Sequence, residues 1–200
     1  MSAGCLVADD HPALVRAICD TVEAQGYSVL GPATDGLRAV DLATRQTPPL
    51  AVVDLRMPRL AGVPLVERLR EASPEMRIVV FTGEVEAGIA AELLDRGAAG
   101  IVLKDAPIAD LQRALGTVAS GGRYVDAAVA AALAVEPRLS PRETEVLCGL
   151  ARGRTMEQLA DDLGISAGTV RAHAVSARTR LGMPTKTAAV AYAIRRGLIA

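Results

Sequence analysis

Five side chains in the first half of the chain can do chemistry together: Asp9, Asp10, Asp54, Thr82 and Lys104. Three converging carboxylates repel one another unless a cation joins them. A donor set made only of oxygen favours Mg²⁺ over softer metals. With such an ion bound, one carboxylate becomes a nucleophile toward phosphorus and forms an aspartyl phosphate. The phosphoryl oxygens then need donors. Lys104 offers a point charge, Thr82 a hydroxyl, and the neighbouring loops their backbone N–H groups. Gly83 and Gly62 leave room for close backbone approach. Lys104 stands out for a second reason: the chain carries 20 Arg but only two Lys, the other being Lys186.

Positioning these residues requires a particular scaffold. Strand-length apolar runs at Cys5–Ala8, Ser28–Leu30, Leu50–Val53, Ile78–Phe81 and Gly100–Leu103 alternate with helical patterns. The helical segments are Pro12–Ala24, Leu37–Arg45, Val63–Ala72, Glu86–Arg96 and Pro107–Ala119. Continuously apolar strands separated by helices predict a five-stranded parallel sheet, doubly wound and flavodoxin-like, an α/β fold. In such folds sites lie beyond the carboxyl ends of the strands. Asp9 and Asp10 follow the first run, Asp54 the third, Thr82 the fourth and Lys104 the fifth.

The chain has 200 residues, enough for one large domain or two small ones. Half are hydrophobic and 22% are charged, so a packed core is attainable. With three Tyr, one Phe and no Trp, a nucleic-acid reader built on base stacking is excluded. No apolar run spans a bilayer, so a cytoplasmic protein without a membrane partner is expected. Cys5, Cys19 and Cys148 are scattered without a CxxC pair and read as reduced thiols rather than zinc ligands.

Charge divides the chain. Residues 1–120 hold 11 basic and 16 acidic side chains, whereas residues 121–200 hold 11 and 7. A basic C-terminal part points to nucleic acid. Residues 120–136, Gly-rich then Ala-rich, read as a linker carrying a short helix. From Leu139 onward only helices are expected, opened by Ser140, Thr155, Ser166 and Thr185 and stopped by Gly153, Gly164, Gly182 and Gly197. The stretch from Thr155 to about Ala174 reads as a helix-turn-helix. In its second helix Val170, Ala177 and Leu181 point inward, while Thr169, Arg171, Ala172, Val175 and Arg178 are candidates for contact with DNA. Ala172 and Ala174 leave that helix rather bare, so specificity is expected to lean on dimer spacing and DNA shape.

Ala8-Asp9-Asp10-His11, Asp54-Leu55-Arg56-Met57-Pro58, Thr82-Gly83 and Lys104-Asp105 resemble the receiver domain of two-component response regulators, over residues 1–119. The resemblance implies that Asp54 is the phosphoacceptor. It also implies that Asp10, Asp54 and the Arg56 backbone carbonyl ligate Mg²⁺, with Asp9 acting through water, and that Thr82 and Lys104 bind the phosphoryl group. Receivers usually carry an aromatic three residues before this Lys, which turns inward as the Thr moves. Ile101 stands there instead, so the switch pair would be Thr82 and Ile101. Arg56 and Glu84 hold positions that tune dephosphorylation in receivers and are expected to pair across the crevice.

Leu139-Ser140-Pro141-Arg142-Glu143, Ile165-Ser166-Ala167-Gly168-Thr169-Val170-Arg171 and Arg180-Leu181-Gly182-Met183 resemble the LuxR-type DNA-binding domain, over residues 137–200. Both halves together resemble the NarL/FixJ class of response regulators. The implied partners are a sensor histidine kinase, double-stranded DNA and a second copy of the chain when phosphorylated. Such a protein assists only its own phosphorylation and dephosphorylation and is no metabolic enzyme. Two rivals fare worse. An aspartate-nucleophile phosphohydrolase needs a second Asp two residues after the nucleophile, where Arg56 stands. A receiver coupled to an RNA-binding antiterminator needs a three-helix output without the Thr169-Val170-Arg171 pattern.

Overall fold

The computed structural model describes residues 3–134 and 139–199. The chain divides into two compact units, residues 1–85 with 90–132 and residues 86–89 with 133–200. Among the described residues no helix is long and apolar enough to cross a membrane.

The first unit alternates strand and helix: β1 (Gly4–Ala8), α1 (Pro12–Ala24), β2 (Ser28–Ala33), α2 (Gly36–Gln46), β3 (Leu50–Val53) and α3 (Gly62–Ala72). Then follow β4 (Arg77–Thr82), α4 (Ala87–Asp95), β5 (Ala98–Leu103), α5 (Ile108–Ala119), β6 (Tyr124–Val125) and α6 (Ala127–Ala134). The strands form one parallel sheet in the order β2-β1-β3-β4-β5-β6. The doubly wound architecture agrees with the sequence reading.

The strand count does not: six strands stand where five were expected. The sixth is a two-residue pairing of Tyr124 and Val125 with Gly100 and Ile101. Two residues carry no measurable period, which hides such a strand from pattern reading. After it Asp126 N donates to Ile101 O at 2.9 Å, and the Asp126 carboxylate accepts from Ala128 N at 2.9 Å to start α6. The short helix expected in the linker is α6, and residues 135–136 of the linker lie outside the described residues.

Side chains of successive strand residues face opposite sides of the sheet. Cys5 and Val7 of β1, Leu50 and Val52 of β3, Val79 and Phe81 of β4 pack with Ile18 and Val22 of α1 and with Leu111, Leu115 and Val118 of α5. Leu6, Ala51, Val53, Ile78, Val80 and Ile101 alternate with these and are also fully or nearly buried, as are Leu65 and Leu69 of α3. With apolar side chains on both sides, the central strands are fixed in register, so their carboxyl ends lie level with one another.

The second unit is helical: α7 (Pro141–Ala151), α8 (Met156–Leu163), α9 (Ala167–Arg180) and α10 (Lys186–Arg195). The four hydroxyl residues expected at the helix starts all act as N-caps, each accepting from a backbone N–H in the first turn. Ser140 and Thr155 complete reciprocal capping boxes with Glu143 and Gln158. Gly164 ends α8 at φ 65°, a left-handed turn that re-aims the chain into α9. Val146, Leu159, Ala160, Val170 and Ala174 form the core of this unit.

One buried carboxylate ties α7 to α9. Glu143 accepts from Ser140 N at 2.7 Å and from Ser176 Oγ at 2.6 Å, and Arg180 Nε lies 3.3 Å away. Burial by itself raises the acid's pKa. The hydrogen bonds from Ser176 and Ser140 and the Arg180 charge outweigh it and hold the Glu143 carboxyl at about 2, against 4.5 when free. A folded pKa below the unfolded one means that this stabilisation is complete above about pH 5 and is lost as pH falls toward 2. The unit should therefore lose on the order of 2 kcal/mol over that interval. In Glu143→Gln it should start weaker and change little there, as read from α7 and α9 amide signals in urea titrations at several pH values. Parallel pH curves for the two proteins would contradict the assignment.

Candidate functional site

The crevice is built where β1, β3, β4 and β5 end. Asp54 N donates to Ala8 O at 2.8 Å and Lys104 N to Thr82 O at 2.8 Å, so the sheet's own hydrogen bonds hold the backbones of these residues side by side. Asp9, Asp54 and Thr82 are buried, and Lys104 is largely covered, its side chain 13% exposed. The Lys104 ammonium lies 2.8 Å from Asp54 Oδ2, to which it donates, and 2.6 Å from Asp9 Oδ2, outside hydrogen-bond alignment. The second oxygen of each acid is held by local backbone. His11 N donates to Asp9 Oδ1 at 2.9 Å, and Arg56 N to Asp54 Oδ1 at 3.1 Å. All five residues singled out for chemistry thus end at one mouth of the sheet.

The electrostatics are unbalanced. Burial opposes a proton on Lys104, but its contacts with Asp54 and Asp9 prevail and its pKa rises. That single ammonium faces three carboxylates. Asp10 Oδ1 is buried and accepts no hydrogen bond, and Asp9 Oδ2 accepts none either. Ligand atoms of Asp9, Asp10, His11 and Asp54 lie within 4.8 Å of one another. Acid oxygens without a hydrogen-bond donor, crowded around one ammonium, fit a hard divalent cation. His11 is exposed, with Nδ1 2.9 Å from Asp10 Oδ1.

Around the crevice, Thr82 Oγ1 donates to Glu84 O at 3.3 Å. Ile101, at the position usual for an aromatic, is fully buried in β5. The expected pairing across the mouth is present: Arg56 Nη2 lies 3.2 Å from Glu84 Oε2, with both side chains mostly exposed.

In the second unit α9 exposes Thr169, Arg171, Ala172 and Val175, while Val170, Ala174, Ala177 and Leu181 are buried. Ala174 therefore belongs to the core and does not contribute to a bare outer face. Arg178 is half-buried, and its Nη1 donates to Met183 O at 3.1 Å and Pro184 O at 3.4 Å. It ties the last turn of α9 to the turn that follows the helix. The outward face that remains is short, with Arg171 its cation.

Residues 5–116 match the response regulator receiver domain family, and residues 137–193 match the luxR family of bacterial regulatory proteins. Over 204 residues the chain is 31% identical to the probable transcriptional regulatory protein NarL of Mycobacterium tuberculosis, covering 97% of this chain and 94% of that protein. Among solved structures it is similar to RcsB, seen as two dimers bound to two parallel DNAs, with a TM-score of 0.72 and 28% identity, covering 96% of this chain and 98% of that one. It is also similar, with a TM-score of 0.71, 28% identity and the same coverages, to RcsB from Salmonella enterica serovar Typhimurium bound to a promoter in the presence of the phosphomimetic BeF3−.

The excess of negative charge has a measurable cost in stability. Without divalent ions, Asp10→Asn should stabilise the full chain by about 1 kcal/mol through reduced repulsion, a rise of a few degrees in Tm. Adding Mg²⁺ should raise the Tm of the unaltered protein and that of Asp10→Asn much less. A less stable Asp10→Asn protein, or equal responses to Mg²⁺, would contradict this account of the crevice.

Proposed function

The chain belongs to the response regulators that join a receiver domain to a LuxR-type DNA-binding domain, and from that premise we propose that it is a transcription regulator switched by phosphorylation of Asp54. The observation that carries this reading is the crevice: two buried carboxylates share one ammonium, beside an Asp10 oxygen that accepts no hydrogen bond. Asp54 is the acceptor by the match to the receiver family, and its carboxylate is reached by both Lys104 and the Arg56 backbone.

Asp10, Asp54 and the Arg56 backbone carbonyl would hold Mg²⁺, with Asp9 beside them. The ion supplies compensation for the carboxylates and for the negative charge that an incoming phosphoryl group brings. The chain's own residues do the rest. An Asp54 oxygen attacks phosphorus, the phosphorus–nitrogen bond of a donor phosphohistidine breaks, and its electron pair leaves with the imidazole. Lys104, already 2.8 Å from Asp54, moves its contact to a phosphoryl oxygen, and the Thr82 hydroxyl turns from Glu84 O to another. Thr82 and the neighbouring Ile101 strand then carry the change. The phosphoryl donor is a sensor histidine kinase.

Arg171, with Thr169, Ala172 and Val175, is the face of α9 offered to double-stranded DNA. Arg178 supports that face by fixing the end of the helix. Arg suits both phosphates and guanine edges. The phosphorylated form binds DNA as a homodimer, a reading supported by RcsB, which is seen as dimers bound to DNA. The protein works in the cytoplasm, and residues 1–119, 120–136 and 137–200 serve as receiver, linker and DNA-binding domain.

Incubation with Mg²⁺ and a small phosphodonor, followed by intact-mass measurement, should show one added phosphate. Asp54→Asn should show none. A phosphate that persists on Asp54→Asn would overturn the assignment of the acceptor.

A further inference from the structure

The loop between β3 and α3 carries Arg56, and it is held from an unexpected direction. Arg59, three residues further on, adopts φ 68°, a left-handed conformation that residues with a side chain rarely hold without compensation. Its Nε and Nη2 both donate to Asp35 Oδ1, at 2.9 and 2.7 Å. Asp35 is the N-cap of α2 and accepts from Arg38 N at 2.9 Å, so the partner of Arg59 is itself fixed by a helix. Beside it Gly36 N donates to Pro58 O at 3.2 Å. A Cβ on Gly36 would lie 2.0 Å from Leu60 O, so loop and helix start touch backbone to backbone. At its own ends the loop is closed by Arg56 N on Asp54 Oδ1 at 3.1 Å and by Gly62 N on Leu55 O at 2.9 Å.

From these contacts we infer that Asp35 and Arg59 are positioning residues: they clamp the β3–α3 loop onto the start of α2 and thereby hold the Arg56 backbone at the mouth of the acid crevice. The inference rests on the reading of that crevice as a divalent-cation site. It assigns a role to two residues that touch neither the ion nor the acceptor. The ion pair ties the loop to α2 at Arg59, and without the pair the loop is freer to move and the crevice loses part of its order. Cation affinity then falls although every carboxylate is intact.

The test is a calorimetric titration of the unphosphorylated full chain with Mg²⁺ alone, run beside thermal unfolding. Arg59→Gly removes the clamp but suits φ 68°, so Tm should hold or rise while the Mg²⁺ half-saturation concentration increases. The increase should be about three- to tenfold, below the loss typical for partners bonded directly to a ligand, because the clamp acts through backbone. Asp35→Asn keeps a good N-cap and removes the charge, so it should weaken binding similarly, and the double variant should be no worse than either single one. Mg²⁺ binding in all variants equal to that of the unaltered protein would overturn the clamp and leave the crevice reading standing. Weaker binding of Arg59→Gly accompanied by a lower Tm would overturn a positioning role in favour of a merely structural one. Absence of Mg²⁺ binding by the unaltered protein would overturn the crevice reading and the clamp with it. Should Asp35→Asn fold poorly, Arg59→Gly decides alone.

Discussion

Two buried carboxylates, Asp9 and Asp54, lean on one ammonium, Lys104, and the rest of the first unit is arranged to make that tolerable. Charges taken out of water are costly unless paired, and here the pairing is incomplete. The sheet carries the cost. Its central strands are apolar on both faces and locked in register, which forces the residues just after them into one small volume. Stability is thus spent on an excess of negative charge that a cation would relieve.

Two kinds of restraint keep the crevice ordered. Hydrogen bonds from the strands fix the backbones of Asp54 and Lys104, while the β3–α3 loop is held at the start of α2, by Asp35 through Arg59 and by Gly36 through Pro58. In the second unit the same logic operates on a smaller scale. Glu143 is a buried charge satisfied by Ser140, Ser176 and Arg180, and it joins the start of α7 to α9. Arg178 bonds beyond the far end of α9. Polar groups of α9 thus hold it to the start of α7 and to the turn that follows it, while Arg171 stays exposed on its outer face.

What could be read in advance follows from the range of the forces involved. Helix starts at Ser140, Thr155, Ser166 and Thr185 are local events and were legible to the residue. The crevice was legible because each of its residues directly follows an apolar strand run. Strand β6 was not, since two residues show no pattern. Ala174 was misread as part of a bare outer face because alanine is equally at home inside and outside a helix bundle. The bonds of Arg178, a candidate DNA contact by sequence, to the Met183 and Pro184 carbonyls depend on the path of the following turn. The left-handed Arg59 and its bond to Asp35, 24 residues earlier, have no signature in sequence at all.

The central claim is that charge placed on the first unit controls DNA binding by the second. Its most direct test is fluorescence anisotropy of a labelled operator fragment with the full chain, with and without Mg²⁺ and beryllofluoride, at one fixed salt concentration. The account requires tighter, cooperative binding with the phosphoryl mimic and none of that gain in Asp54→Asn. Equal affinities in both conditions, for a protein shown to bind the mimic, would contradict it.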